Sequence, residues 1–243
     1  MYQVRFYKGD YQWRQKQANQ DKCVAYVEHH FNSSPNIQSD YSVVITSYNA
    51  SELSKNWGKS YVLRISKEFG VPLGGKNGLL IGGYHGRGDG NLKYTYMPAI
   101  LLEPLFASNP IHAGWIRSAE GQDKLAKVLA DSIIEFFPDG SLIGFSIGHK
   151  YKTSSPSDRG APLQGGGVEA DYAEIVMEKA KYILEKYSLS AVPPPAVIPT
   201  MPTNDVRVIK NGKELWVHKD IDEDDELIWD PENRVLYISR QST

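Results

Sequence analysis

The 243-residue chain has a single cysteine, Cys23. That excludes an internal disulfide and a zinc site built of thiolates, so any metal here must be held by histidine and carboxylate. Cys23 heads the apolar run CVAYV, where a buried and unreactive thiol is expected. No apolar run approaches the roughly 18 residues of a membrane span. The opening stretch MYQVRFYKGDYQWRQKQANQDK also lacks the apolar core of a secretory leader. The expectation is synthesis in the cytoplasm, with any target outside reached by another route. The net charge is only −2, which gives no support to nucleic-acid binding.

What is present is enough apolar sequence, 41%, for one substantial domain and an appendage. The segment AVPPPAVIPTMPT (191–203) reads as an extended, semi-rigid spacer between a large region, 1–190, and a tail, 204–243. The tail carries 10 Asp/Glu against 6 Lys/Arg, a net of −4, most of it in the acidic run Asp220–Glu226, which reads as a solvated turn. Asn211-Gly212 lies between two alternating stretches, and DPENR marks a second turn. A small antiparallel module of three or four strands is expected. Such a piece is marginal alone, so it should pair with a copy of itself or dock on something else.

In residues 1–190, strand-like runs alternate with helical ones, which predicts an α/β fold: a mainly parallel sheet covered by helices on both faces. YQVRFY, CVAYVEH, YSVVITSY, MPAILLE and SLIGFSIGH are the strand candidates. Helices are expected from Ser51 to Phe69, with Trp57, Tyr61, Ile65 and Phe69 near one face, and over SAEGQDKLAKVLADSIIEFF. A further helix, VEADYAEIVMEKAKYILEKY, has a stripe of Tyr172, Val176, Ala180, Ile183 and Tyr187 that reads as core.

Chemistry in such sheets gathers at the carboxyl ends of the strands. Three candidate strands end in suitable groups: His29 and His30, Glu103, and His149. A carboxylate at the end of a buried strand has its pKa raised by burial, which suits a general base or acid near neutrality. After His149 a long polar loop leads to Glu169 at a helix start, a position that the helix dipole favours in any case. Two histidines and a glutamate with an open fourth position form a recognised composition for catalytic zinc, which would make the chain a hydrolase.

Three blocks of the sequence resemble the zinc-dependent N-acetylmuramoyl-L-alanine amidases of the Amidase_3 family. MPAILLEPLFASNP with WIRSAEGQDKLAKVLADSI is similar to the family's closing section, and WRQKQANQDKCVAYVEHHFNSS to its middle section, whose strand ends in His-x-Asn. GFSIGHKYKTSSPSDRGAPLQGGGVEADYAEI is similar to the opening section, yet it stands last. The resemblance therefore implies a circular permutation, cut between the family's first helix and second strand. It further implies His30, His149 and Glu169 as zinc ligands, with His29 either supporting a ligand from behind or merely adjacent. Glu103 takes the place of the catalytic carboxylate. The implied reaction is cleavage of the amide between N-acetylmuramic acid and L-alanine in peptidoglycan.

The chain departs from the family pattern in a longer loop after His149, in SDRGA where Asp-Pro-Gly-Ala is usual, and in Glu28-His29 where Ser-Ile is usual. LLIGGYHGRGDGNLKY matches no phosphate-cradling motif and reads as a loop on the substrate side with His85 as a candidate contact. His112 and His218 read as surface residues. The tail would bind cell wall or self-associate, and an endolysin released during lysis would account for a lytic enzyme without a leader. The rival readings are a zinc exopeptidase of related fold and a non-catalytic glycan-binding protein on an amidase scaffold.

Overall fold

Eight short strands and five helices form the larger unit: β1 Tyr2–Phe6, α1 Tyr11–Gln20, β2 Ala25–His29, β3 Val43–Thr46, α2 Glu52–Phe69, β4 Leu79–Ile81, β5 Gly83–Tyr84, β6 Arg87–Gly88, β7 Ala99–Glu103, α3 Pro110–Arg117, α4 Ala119–Phe136, β8 Ser141–Ile147 and α5 Glu169–Lys186. The computed structural model describes residues 1–187 and, beyond them, four strands, β9 Asp205–Lys210, β10 Lys213–His218, β11 Glu226–Asp230 and β12 Val235–Ser239. The chain divides into two compact units, Met1–Ala191 and Val192–Thr243. In the second, β9 pairs antiparallel with β10, and β11 with β12. The proline-rich segment 191–203, the Asn211-Gly212 turn, the turn at 231–234 and the acidic run through 225 lie outside the described residues.

The six-stranded sheet has the order β1-β8-β2-β7-β3-β4. β1, β8, β2 and β7 run parallel to one another. β3 runs against β7, with Val43 opposite Glu103, and β4 follows the direction of β3. The sheet is thus mainly parallel with one reversal, and the start of β3 lies on the same edge as the end of β7.

Successive side chains on a strand face opposite ways, so each strand serves two layers. Ala25, Val27, Ile100, Leu102, Ile143 and Phe145 face a large core shared with α2, α4 and α5. Tyr26, Ala99, Leu101 and Ile45 face a smaller one completed by Ala18 of α1 and Leu92. On α2, Trp57, Tyr61, Ile65 and Phe69 are all buried, as their spacing predicts. On α5 the fully buried row is Ala173, Val176, Met177, Ala180 and Leu184, whereas Tyr172, Ile183 and Tyr187 are only partly covered. The stripe is real but turned about the axis, centred on that buried row.

The two ends of the larger unit meet. The Tyr2 and Tyr187 rings lie 5.9 Å apart, and the Val4 N–H donates to Glu185 Oε1 at 3.2 Å.

Candidate metal centre

At the carboxyl edge of the sheet lies a cleft of about 800 Å³ whose lining includes Tyr11, Asn32, Tyr84, Arg87 and Lys152. His30, His149, Glu169 and Glu103 all open onto it. His30 follows the last residue of β2, and its N–H donates to Leu102 O at 2.9 Å. This backbone bond sets His30 beside Glu103, the next residue along β7. His149 follows β8 through Gly148 and takes a positive φ of 62°. A side chain on Gly148 would collide with the His30 ring, so only glycine lets the two strand ends close up. Their imidazoles meet edge to face, 4.8 Å between centroids.

Glu169 opens α5 and is buried. Its Oε1 lies 3.0 Å from His30 Nδ1 and 3.4 Å from His149 Nε2, while Oε2 accepts the Ala161 N–H at 2.9 Å. The loop between β8 and α5 passes so close that a side chain on Gly160, at φ +72°, would collide with both Glu169 and His149. The other nitrogen of each histidine is held by a further carboxylate: His30 Nε2 by Glu28 Oε1 at 2.8 Å, His149 Nδ1 by Asp158 Oδ1 at 2.9 Å.

These contacts set the charge states. Burial disfavours a charge on His30, yet hydrogen bonds to Glu169 and Glu28 outweigh it and hold its pKa well above the usual value. Burial likewise pushes Glu169 up, but the hydrogen bond from His30 and the charges of both histidines leave it lowered. At Glu103 burial wins over the charge of His30, a hydrogen bond with Tyr84 and the charge of Arg87. Burial raises its pKa to about 7, His30 opposing and Glu169 adding, and Oε2 has no hydrogen-bond partner among the described residues. A carboxyl group that titrates near neutrality on the wall of a cleft can both take and give a proton.

Two imidazole nitrogens and a carboxylate oxygen, all within 4.8 Å of one another, form the one such cluster among the described residues. The donor types suit zinc, and a carboxylate behind each histidine fixes the ring orientation in the manner of metal centres. The residues therefore fit a zinc ion.

Other expectations fare differently. His29 points the opposite way from His30, into the large core against Phe31; both its nitrogens lack partners among the described residues, and burial lowers its pKa to about 3. His85 sits exposed at the β5–β6 turn with φ 52°, and the residues flanking that turn, Tyr84 and Arg87, line the cleft instead. His112 is not a surface residue. It is 2% exposed, its Nδ1 accepts the Phe106 N–H at 3.0 Å, and its Nε2 lies 2.9 Å from Asp40 Oδ1. Burial with Ala113 and Ile116 on one helical face is the reason. His218 ends β10 and has no described side chain.

Sequence reasoning gave no role to Glu28, Arg14 or Asp158. Arg14 is fully buried, donating from Nε to Gly9 O at 2.6 Å and from Nη1 to Ser146 Oγ and Ile147 O, each at 2.7 Å. It pins the end of β8 that delivers His149. A charge two residues before His30 on an otherwise apolar strand was the signal available for Glu28.

A family model described as N-acetylmuramoyl-L-alanine amidase (Amidase_3) matches residues 4–135. Among solved structures, the chain is 24% identical to the catalytic domain of CwlV, an N-acetylmuramoyl-L-alanine amidase from Bacillus (Paenibacillus) polymyxa var. colistinus, over 53% of this chain and 66% of that one, with a TM-score of 0.44. It is 20% identical to an N-acetylmuramoyl-L-alanine amidase from Clostridium difficile 630, over 53% and 66%, TM-score 0.45. A third, Ami1 from Mycobacterium smegmatis, is 21% identical over 51% and 59%, TM-score 0.43. The chain thus spans slightly less than two thirds of these proteins. No curated protein matches it.

Proposed function

Because the chain belongs to the Amidase_3 family of N-acetylmuramoyl-L-alanine amidases, we propose that it is a zinc-dependent peptidoglycan amidase cleaving the bond between N-acetylmuramic acid and L-alanine. The observation that carries this reading is the meeting of His30, His149 and Glu169 beside Glu103 in one cleft. His30, His149 and Glu169 would hold the ion. A zinc ion bound there supplies Lewis acidity, which acidifies water and polarises a carbonyl. Glu103, on the cleft wall beside them, takes the proton from the attacking water and returns it to the alanine nitrogen as the C–N bond breaks. Asn32, Tyr84 and Arg87 line the cleft around it and offer polar contacts for substrate.

The chain is also read as a circular permutation of the family's order. Three facts support this. The family match stops at 135, although β8 lies inside the same sheet between β1 and β2. His149 and Glu169 both come from the part beyond the match. The ends of the unit meet at Tyr2 and Tyr187, so a peptide link there demands little rearrangement.

Purified peptidoglycan, incubated with the protein and analysed for new chemical ends, tests the reading. New lactyl carboxyl and L-alanine amino ends are expected, lost on chelation and restored by zinc. Glu103→Ala should lose about a thousandfold in turnover while retaining zinc. Hydrolysis by that variant at the wild-type rate, or release of single amino acids from short peptides instead of wall cleavage, would overturn the assignment.

A further inference from the structure

Glu28 is the only charged residue on β2, and it is completely buried. It shares a strand face with His30, two residues on, and Oε1 lies 2.8 Å from His30 Nε2. Asn91, in the single helical turn Asp89–Asn91, also donates to Oε1, and the Ser146 hydroxyl on β8 donates to Oε2 at 2.9 Å. Ser146 Oγ in turn accepts from the buried guanidinium of Arg14 at 2.7 Å. The carboxylate is therefore fixed by groups from β2, β8 and the Asp89–Asn91 turn, with Arg14 of α1 behind Ser146.

We propose that Glu28 is the positioning residue of the metal centre: by holding His30 Nε2–H it leaves the Nδ1 lone pair as the one that faces Glu169 and His149. The inference rests on the zinc reading above and extends it to a residue that touches neither metal nor substrate. Imidazole has two nitrogens, and the bond made by one decides which is free to ligate. With Nε2 committed, the ring cannot flip without breaking a bond to a buried carboxylate, and the negative charge behind the ring makes Nδ1 a stronger donor. Asp158 does the same for Nδ1 of His149, but it is partly exposed and shared with Lys152, so Glu28 has the greater hold.

The test is the zinc affinity of the full chain carrying Glu28→Gln, which keeps the shape and one acceptor but removes the charge. Competition with a chromogenic chelator should show about 10- to 100-fold weaker zinc binding, while the melting temperature of the metal-free protein changes little. Nitrogen NMR of the zinc-loaded protein should show His30 ligating through Nδ1 in the wild type and a mixture of nitrogens in the variant. Zinc affinity within twofold of wild type overturns the role, as does a loss of metal-free stability with unchanged affinity, which would mark Glu28 as a partner of Arg14 alone. Should Glu28→Gln not fold, Asn91→Ala removes one donor from a partly exposed turn; a roughly threefold weaker affinity is then expected, and no change refutes the proposal. A wild-type chain that takes up no zinc sinks the metal reading itself, whereas equal uptake by wild type and variant sinks only Glu28.

Discussion

Two stretches of chain build the cleft, and they differ in how they relate to the family. Residues 4–135 match it and bring His30 and Glu103; residues 141–187 lie beyond the match and bring His149 and Glu169. Neither stretch alone completes the cluster. They join in the middle of the sheet, where β8 pairs with β1 on one side and β2 on the other, and the register of the β2–β8 ladder sets the distance between the histidines. The lesson is that strand adjacency, rather than closeness in sequence, brings the cluster together.

The sharpest way to break this comparison is to remove one ligand from each stretch. His30→Ala and Glu169→Ala should each lose stoichiometric zinc and all measurable wall hydrolysis; zinc retained by either variant, measured by atomic absorption, would separate the two stretches. A second, smaller effect is expected from relinking the chain. Joining Tyr187 to Met1 through a short glycine-serine bridge and opening the turn between Asp139 and Gly140 should leave zinc binding intact and activity within about tenfold, since exposed turns accept new termini. A relinked protein that fails to fold would show that synthesis order matters after all.

The pH profile probes the part contributed by residues 4–135. Glu103 must be deprotonated to accept a proton, and its pKa is raised to about 7 in the metal-free state. Activity should therefore fall as pH drops through that value, about tenfold per unit, and bound zinc should move the fall to lower pH by favouring the carboxylate. A flat profile between pH 5 and 8 would remove Glu103 from the reaction. The smallest effect is expected at His112, which touches none of the cluster: His112→Ala should cost about 1–3 kcal/mol of stability through the orphaned Phe106 N–H, read by urea unfolding, with zinc affinity unchanged.

Much of this was legible because strand ends carry their chemistry in plain order. MPAILLE and SLIGFSIGH are continuous apolar runs that stop at Glu103 and just before His149, and buried parallel strands read that way. The reversal of β3 was not legible, because Val43–Thr46 is buried on both faces and an apolar run has no direction. The burial of His112 was legible only through spacing, since with Ala113 and Ile116 it forms one helical face. Glu28 was hidden for a deeper reason. Its partners Asn91 and Ser146 are 63 and 118 residues away in sequence, so nothing local announces that a charge at that position is satisfied.

The reversal of β3 carries one more implication. Since β2 ends and β3 begins on the same edge, residues 30–42 start and finish there and pass over the end of β7, where Asn32 bridges to Phe106 and Tyr41 packs on the same ring at 4.7 Å. The part of it between Asn32 and Tyr41 behaves as a cassette: its length and composition can change, reshaping the entrance to the cleft, without disturbing a ladder of the sheet beneath.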